Sequence, residues 1–304
     1  MHVGIALPNY GPLAKPETIF GLAARAEDTG FDSVWVSDHL LAPTNVTSVY
    51  PYDRRPDPTP SDVGVLEEMY EPLTTLAVLA GRTRRIRLGV SAYVLPYRNP
   101  VVTAKQVATL DALSGGRLLL AIGVGWLREE FEALGVPFEQ RGARTDEYLA
   151  VCRALWNEGE ATFEGRFHRL PPVRTGPKPV QQPRFPVWVA GNSPAAIRRA
   201  ALHGEGWHAI DLEPDEIGAG RRRLHAVAHE ARCDPSALTV SLRATVHLGG
   251  DPTRPLAGDQ TKIRDDLQRF EAAGVAYLVV NMPRTRDPEQ AERHLGTVAT
   301  TLGL

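Results

Sequence analysis

The chain has 304 residues, 43% hydrophobic and 23% charged, with 34 Lys and Arg against 36 Asp and Glu for a formal net charge of −2. That length can bury the core of a closed α/β barrel, commonly ~250 residues plus insertions, so one domain spanning 1–304 is expected. Near-neutral, interspersed charge gives no electrostatic basis for a nucleic-acid or membrane-surface partner, which leaves a small molecule.

The first strand is expected over 2–8, in His2-Val3-Gly4-Ile5-Ala6-Leu7-Pro8. This run has no basic leader and stops at a proline, unlike a signal peptide, and no stretch reaches the ~18 apolar residues of a membrane span. A cytoplasmic setting is the expectation. The turn that follows, Asn9-Tyr10-Gly11-Pro12, lacks the glycine pattern of a dinucleotide-binding sheet, and Pro12 and Pro16 make it a poor phosphate cradle. A helix then ends at Gly30, where a left-handed residue is wanted, before a second strand at 33–37. Residues from about Pro43 to Tyr70 are rich in Pro, Asp, Thr and Arg without periodicity, and read as a functional lid after that strand or as a disordered surface excursion. The apolar helix from Leu73 to Ala80 suits a subunit contact or burial within the monomer equally well.

A third strand is expected at 85–91. Asn99 then serves as a helix N-cap with Pro100 at the first helical position, and Val102, Val107, Leu110 and Leu113 keep the spacing of a core face up to Gly115-Gly116. The fourth strand, 117–123, opens into Gly123-Val124-Gly125-Trp126. A second insertion, Ala161 to Arg184, starts with a hairpin pattern over 161–168. Strands at 186–190, 206–210, 238–247 and 275–280 complete the series, with the helix, glycine, strand grammar repeated at Gly204 and Gly274. Eight strands separated by helices predict a parallel sheet closed as a (β/α)8 TIM barrel, with insertions after strands two and four. Cys152 and Cys233 show no Cys-x-x-Cys spacing, so neither a disulfide framework nor a zinc site is expected.

Parallel barrels carry their chemistry at the carboxyl ends of the strands. Asp38 and His39 stand at such an end, although an Asp-His pair alone is equally a turn with a hydrogen-bonded histidine. Gly123 and Gly125 allow a backbone to approach a flat or anionic ligand, or mark a tight barrel corner. Gly191, Asn192 and Ser193 open a helix whose first amides form an anion site, or simply cap it. Strands three, four and five end in glycine, serine and asparagine, which argues against a metal-dependent hydrolase and against any metal site.

Taken together, the motifs resemble the bacterial luciferase-like flavin and deazaflavin oxidoreductases, in particular their coenzyme F420-dependent branch. The resemblance is carried by Gly30-Phe31-Asp32-Ser33-Val34-Trp35-Val36-Ser37-Asp38-His39, by Arg98-Asn99-Pro100, Lys105 to Asp111 and Ser114 to Arg117, by Gly123 to Trp126, and by Arg141 to Tyr148. It implies a ring lying across the strand ends on a non-proline cis peptide, here Ser91–Ala92. It also implies Asp38 at the ring's polar edge, His39 at the hydride-transfer region, and Gly191, Asn192 and Ser193 around the phosphate. Arg141 and Arg144 would meet an anionic tail or form helix-face ion pairs, and Trp126 would wall the substrate pocket or pack. Imidazole is the side chain that titrates near neutrality, which suits His39 to proton exchange. The sugar-phosphate dehydrogenases of this family carry a tryptophan soon after the Asp-His pair and a glutamate after the Gly-x-Gly. Here Leu40-Leu41-Ala42-Pro43-Thr44 and Trp126-Leu127-Arg128-Glu129 stand instead, which points to an apolar or carbonyl-bearing substrate. The implied activity is hydride transfer between F420 and a small organic molecule, with an FMN-dependent two-component monooxygenase as the alternative and a homodimer as the expected assembly. A non-catalytic flavin-binding barrel would have no use for His39.

Overall fold

The structure, a computed structural model, describes residues 1–282 and 285–304. Its strands are β1 (His2–Ala6), β2 (Ser33–Val36), β3 (Arg87–Val94), β4 (Leu118–Gly123), β5 (Ala161–Glu164), β6 (Arg169–Val173), β7 (Val187–Ala190), β8 (Gly206–Ile210), β9 (Thr239–Thr245), β10 (His247–Leu248), β11 (Ala257–Gly258) and β12 (Tyr277–Asn281). The helices are α1 (Pro16–Asp28), α2 (Pro72–Arg82), α3 (Pro100–Leu113), α4 (Arg128–Ala133), α5 (Arg141–Asn157), α6 (Pro194–His203), α7 (Pro214–Glu230), α8 (Gln260–Ala273) and α9 (Pro288–Leu302). Eight strands close in the order β1-β12-β9-β8-β7-β4-β3-β2, every neighbouring pair parallel. This is the expected (β/α)8 barrel, and β5 and β6 form the antiparallel hairpin of the second insertion.

Period-two alternation explains how the barrel fills. Val34, Val36, Leu88 and Val90 belong to the apolar layer shared with the helices, while Trp35, Leu119, Ala121, Trp188, Tyr277 and Val279 form a separate cluster that packs the lumen. Trp35 stacks on Trp188 at 5.8 Å, and its indole N–H donates to Ser33 Oγ at 2.7 Å, which also accepts from the Tyr277 hydroxyl. The indole takes the space of absent side chains: a Cβ on Gly89 would lie 2.2 Å from Trp35 Cδ2.

Several boundaries differ from the sequence expectation. β3 continues to Val94 through an irregular pairing between Ser91 and Tyr93. The seventh barrel strand stops at Thr245, because His247 and Leu248 leave to pair with Ala257 and Gly258. On α3 Val107 and Leu110 are buried as expected, but Val102 and Leu113 are exposed. The inward face instead uses Thr103, Ala104, Ala108 and Asp111, and Asp111 accepts from Val180 N, Gln181 N and Gln181 Nε2 of the second insertion. A buried carboxylate that anchors a crossing loop thus takes the place of two aliphatic contacts. α2 buries Leu73, Leu76 and Leu79 within its own barrel. Among the described residues no helix is long and apolar enough to cross a membrane.

Candidate active site

The carboxyl end of β2 is held in place before it carries any chemistry. Asn9, fully buried, accepts from Ser37 N and donates to Ser37 O and Tyr70 O, tying the β1 loop to the strand end and to the close of the first insertion. Asp38 follows, buried, with Val94 N at 2.7 Å and both guanidinium nitrogens of Arg98 at 2.8 Å. Burial raises this carboxyl and Arg98 pulls it back; the parallel fork is the geometry of an ionised pair. Through these bonds Asp38 locks β2 to the β3 bulge.

His39 is turned by a residue that sequence reasoning passed over. Its Nδ1 lies 2.6 Å from Glu130 Oε2, on α4, and the same carboxylate accepts from Leu40 N (2.6 Å), Leu41 N (3.1 Å) and the Tyr97 hydroxyl (2.8 Å). Burial raises the Glu130 carboxyl, but His39, Leu40 N and Tyr97 together outweigh it and hold the group below its ordinary value. A carboxylate only accepts, so the His39 proton is assigned to Nδ1. That leaves Nε2 without a partner among the described residues. The imidazole is 14% exposed and meets the edge of Trp126 at 5.9 Å.

The β3 end carries the Ser91–Ala92 peptide, which is cis. Ser91 Oγ lies 2.7 Å from His208 Nε2, and His208 Nδ1 lies 2.7 Å from Ser241 Oγ. Burial, with Arg243 nearby, pushes His208 down to about 3, so this ring is a neutral cross-barrel tie and not a proton carrier. Gly123 abuts the bulge, a Cβ there falling 3.2 Å from Ala92 Cβ, and Gly125 (φ 80°) leaves room for Phe131. Arg141 donates to Gly125 O and Phe138 O and lies over the Phe138 ring, while Arg144 donates to the Tyr148 hydroxyl and Gln140. Neither arginine makes a helix-face ion pair among the described residues, and the buried Arg144 Nε has no hydrogen-bond partner there.

Across the mouth, Gly191 (φ 126°) leads to α6. Asn192 is spent on Ile210 N and O, and Ser193 caps the helix through Ala196 N at 3.2 Å. Above these, the first insertion lies as a strap. Thr47 N, Thr47 Oγ1 and Ser48 N all donate to Glu129 Oε1; burial raises that carboxyl, but these donors hold it down at about 2. Arg54 pairs with Glu216 on α7. Between the anchors Tyr50 meets Trp126 edge-on at 5.3 Å and Tyr52 at 5.2 Å, so an aromatic row runs from His39 along the wall. Trp126 thus packs between His39 and the strap. No group of three or more His, Cys, Asp or Glu side chains suited to a metal ion occurs among the described residues.

The sequence profile of the family described as luciferase-like monooxygenase matches residues 1–293. The chain is 34% identical over 279 residues to a phthiodiolone/phenolphthiodiolone dimycocerosates ketoreductase of Mycobacterium kansasii, covering 84% of this chain and 67% of the relative. In fold it is similar to the monooxygenase RslO1 from Streptomyces bottropensis, with a TM-score of 0.81 at 22% identity over 99% of this chain and 98% of that one. The coenzyme F420-dependent tetrahydromethanopterin reductase from Methanopyrus kandleri gives a TM-score of 0.75 at 20% identity over 97% of both.

Proposed function

The chain belongs to the luciferase-like monooxygenase family, and we propose that it is an oxidoreductase moving a hydride between coenzyme F420 and a small carbonyl or alcohol substrate. The observation that carries this reading is His39, whose Nδ1 is fixed on Glu130 and whose Nε2 is left for a proton at the mouth. When bound, F420 supplies the ring carbon that gives or takes the hydride. The mouth fits a flat ring with a phosphate tail: Gly123 keeps the surface beside Ala92 low, and at Gly191 a Cβ would crowd the Tyr52 hydroxyl at 3.3 Å. The amides of Ser193 and Ala195 have no acceptor among the described residues, which supports the start of α6 as the phosphate site.

His39 Nε2 takes the hydroxyl proton when an alcohol gives up hydride, and returns it to the oxygen when a carbonyl is reduced. Glu130 stabilises the imidazolium between those events, and Tyr97 stays a hydroxyl donor because burial, with Glu130 beside it, pushes its phenol far up. Tyr50, Tyr52 and Trp126 exclude water along one side, and their apolar faces suit a carbonyl substrate better than a sugar phosphate. The ketoreductase name of the Mycobacterium kansasii relative supports the same reaction type. The setting in this reading is a cytoplasmic homodimer. F420 reduction by secondary alcohols tests the activity. His39→Asn should lower turnover ~100-fold with F420 affinity unchanged, and unimpaired turnover would remove His39 from the mechanism.

A further inference from the structure

Arg243 is out of place for a barrel strand. On β9 the residues Val240, Leu242 and Ala244 are buried toward the helices, so Ser241, Arg243 and Thr245 alternate into the lumen, where branched apolar side chains dominate in this fold. Its guanidinium reaches across the top of the barrel. Nε donates to Asn281 Oδ1 at 2.7 Å on β12, one terminal nitrogen donates to Ser91 O and lies 3.4 Å from Ser91 Oγ on β3, and the other donates to Ser37 Oγ at 3.2 Å beside β2. Every one of these acceptors is neutral. Among the described residues no carboxylate lies within ion-pair distance of Arg243, whereas Arg98, its neighbour in the mouth, is clamped on Asp38. A half-buried cation whose direct partners are all neutral dipoles, with the Asp211 carboxylate acting on it only from beyond ion-pair distance, leaves a positive field in the mouth, and an anionic ligand gains from it. That field acts on groups from three directions: it opposes the burial of Tyr50 in the strap and of Asp211 after β8, and helps keep His208 uncharged.

We propose that Arg243 is a further cofactor-site residue: its guanidinium, fixed on the Ser91 carbonyl, is the positive charge that favours the anionic state of the bound ring. The proposal rests on a flavin or deazaflavin lying at this mouth. In oxidised F420 the anionic state is the ring with its hydroxyl ionised; in FMN it is the singly deprotonated reduced ring. Arg243 moves no proton itself. It shifts the balance between two states of the ring by electrostatics that preorganised acceptors hold in place.

The test reads the ring and not turnover. Bound F420 is titrated with pH by its visible absorption in wild type, Arg243→Gln and Arg243→Lys. The ratio of ionised to neutral ring in wild type, at a pH where both forms are present, should exceed that of free F420 at least tenfold. Gln should abolish the excess, and Lys, which keeps the charge but not the fork, should retain it within threefold. An ionisation in wild type equal to that of free F420 would overturn the proposal, and this arm needs no variant to fold. So would a Gln variant that ionises as wild type does, or a Lys variant that behaves like Gln. If the protein binds FMN and not F420, the F420 reading fails while the proposal is still tested. Loss of a tenfold preference for the reduced ring in Arg243→Gln would lower the two-electron midpoint potential by about 30 mV, and an unchanged potential would overturn it. Binding of neither cofactor sinks both.

Discussion

Glu130→Gln exchanges one heavy atom of one buried side chain. The remaining carbonyl oxygen still accepts from Leu40 N and Leu41 N, so the turn after His39 keeps its shape. The new amide nitrogen stands where Oε2 accepted from His39 Nδ1 and Tyr97. Being a donor, it forces the phenol to rotate and the imidazole to carry its proton on Nε2. Four hydrogen bonds to a carboxylate become bonds to a neutral amide, two of them with donor and acceptor exchanged, at about 1 kcal/mol each, so a stability loss of about 4 kcal/mol is expected. Catalysis suffers as well, because an Nε2–H imidazole cannot take a proton: turnover should fall ~100-fold, as far as removal of the imidazole itself and within the range that general acid-base groups supply. Because the Glu130 carboxyl lies below its ordinary 4.5 when folded, its stabilisation is complete above that pH and is lost as pH falls through the folded value. The glutamine variant should therefore lose less stability than wild type on acidification below 4.5. Turnover, F420 affinity and urea unfolding at several pH values measure all of this. Turnover within twofold of wild type would refute the proton role, and a matching loss of F420 affinity would reduce Glu130 to scaffolding.

Three further substitutions probe separate parts of the account. Ser193→Asp keeps an equally good N-cap for α6 but adds a negative charge, so stability should hold while cofactor affinity falls about tenfold; unchanged affinity would move the phosphate elsewhere. Glu129→Ala removes the acceptor shared by Thr47 and Ser48, so tryptic cleavage after Arg54 should speed up about tenfold with little change in global stability; equal cleavage would mean that the strap is held by other contacts. Gly89→Ala drives a methyl group into Trp35 and should destabilise the barrel by about 3 kcal/mol, with partial recovery in Trp35→Leu; a neutral result would contradict the packing of the lumen.

The fold was legible because β2, β4, β8 and β12 are short apolar runs after a helix-ending glycine, and because Asn99 and Ser193 cap their helices as their types demand. His39 was legible from its place at a strand end. Its partner was not: Glu130 stands 91 residues away beside Glu129 and looks like one more charge on a short helix, and only closure of the barrel brings it to His39. Arg243 was hidden for the same reason, since nothing local separates a lumen-facing arginine from a solvent-facing one. The partners of Arg141, the Gly125 carbonyl and the Phe138 ring, were equally hidden, because they come from folded loops and not from helix spacing. Val102 and Leu113 keep helical spacing and still face outward, because Asp111 and the second insertion claim the inner face.

The central claim is that this mouth holds F420. Apoprotein titrated side by side with F420 and with oxidised and reduced FMN, followed by tryptophan fluorescence, tests it most directly, since Trp126 lies 5.9 Å from His39 in the wall of the site. The account predicts saturable, micromolar binding of F420 and no comparable response to FMN. Binding of FMN alone, or of neither, would contradict it.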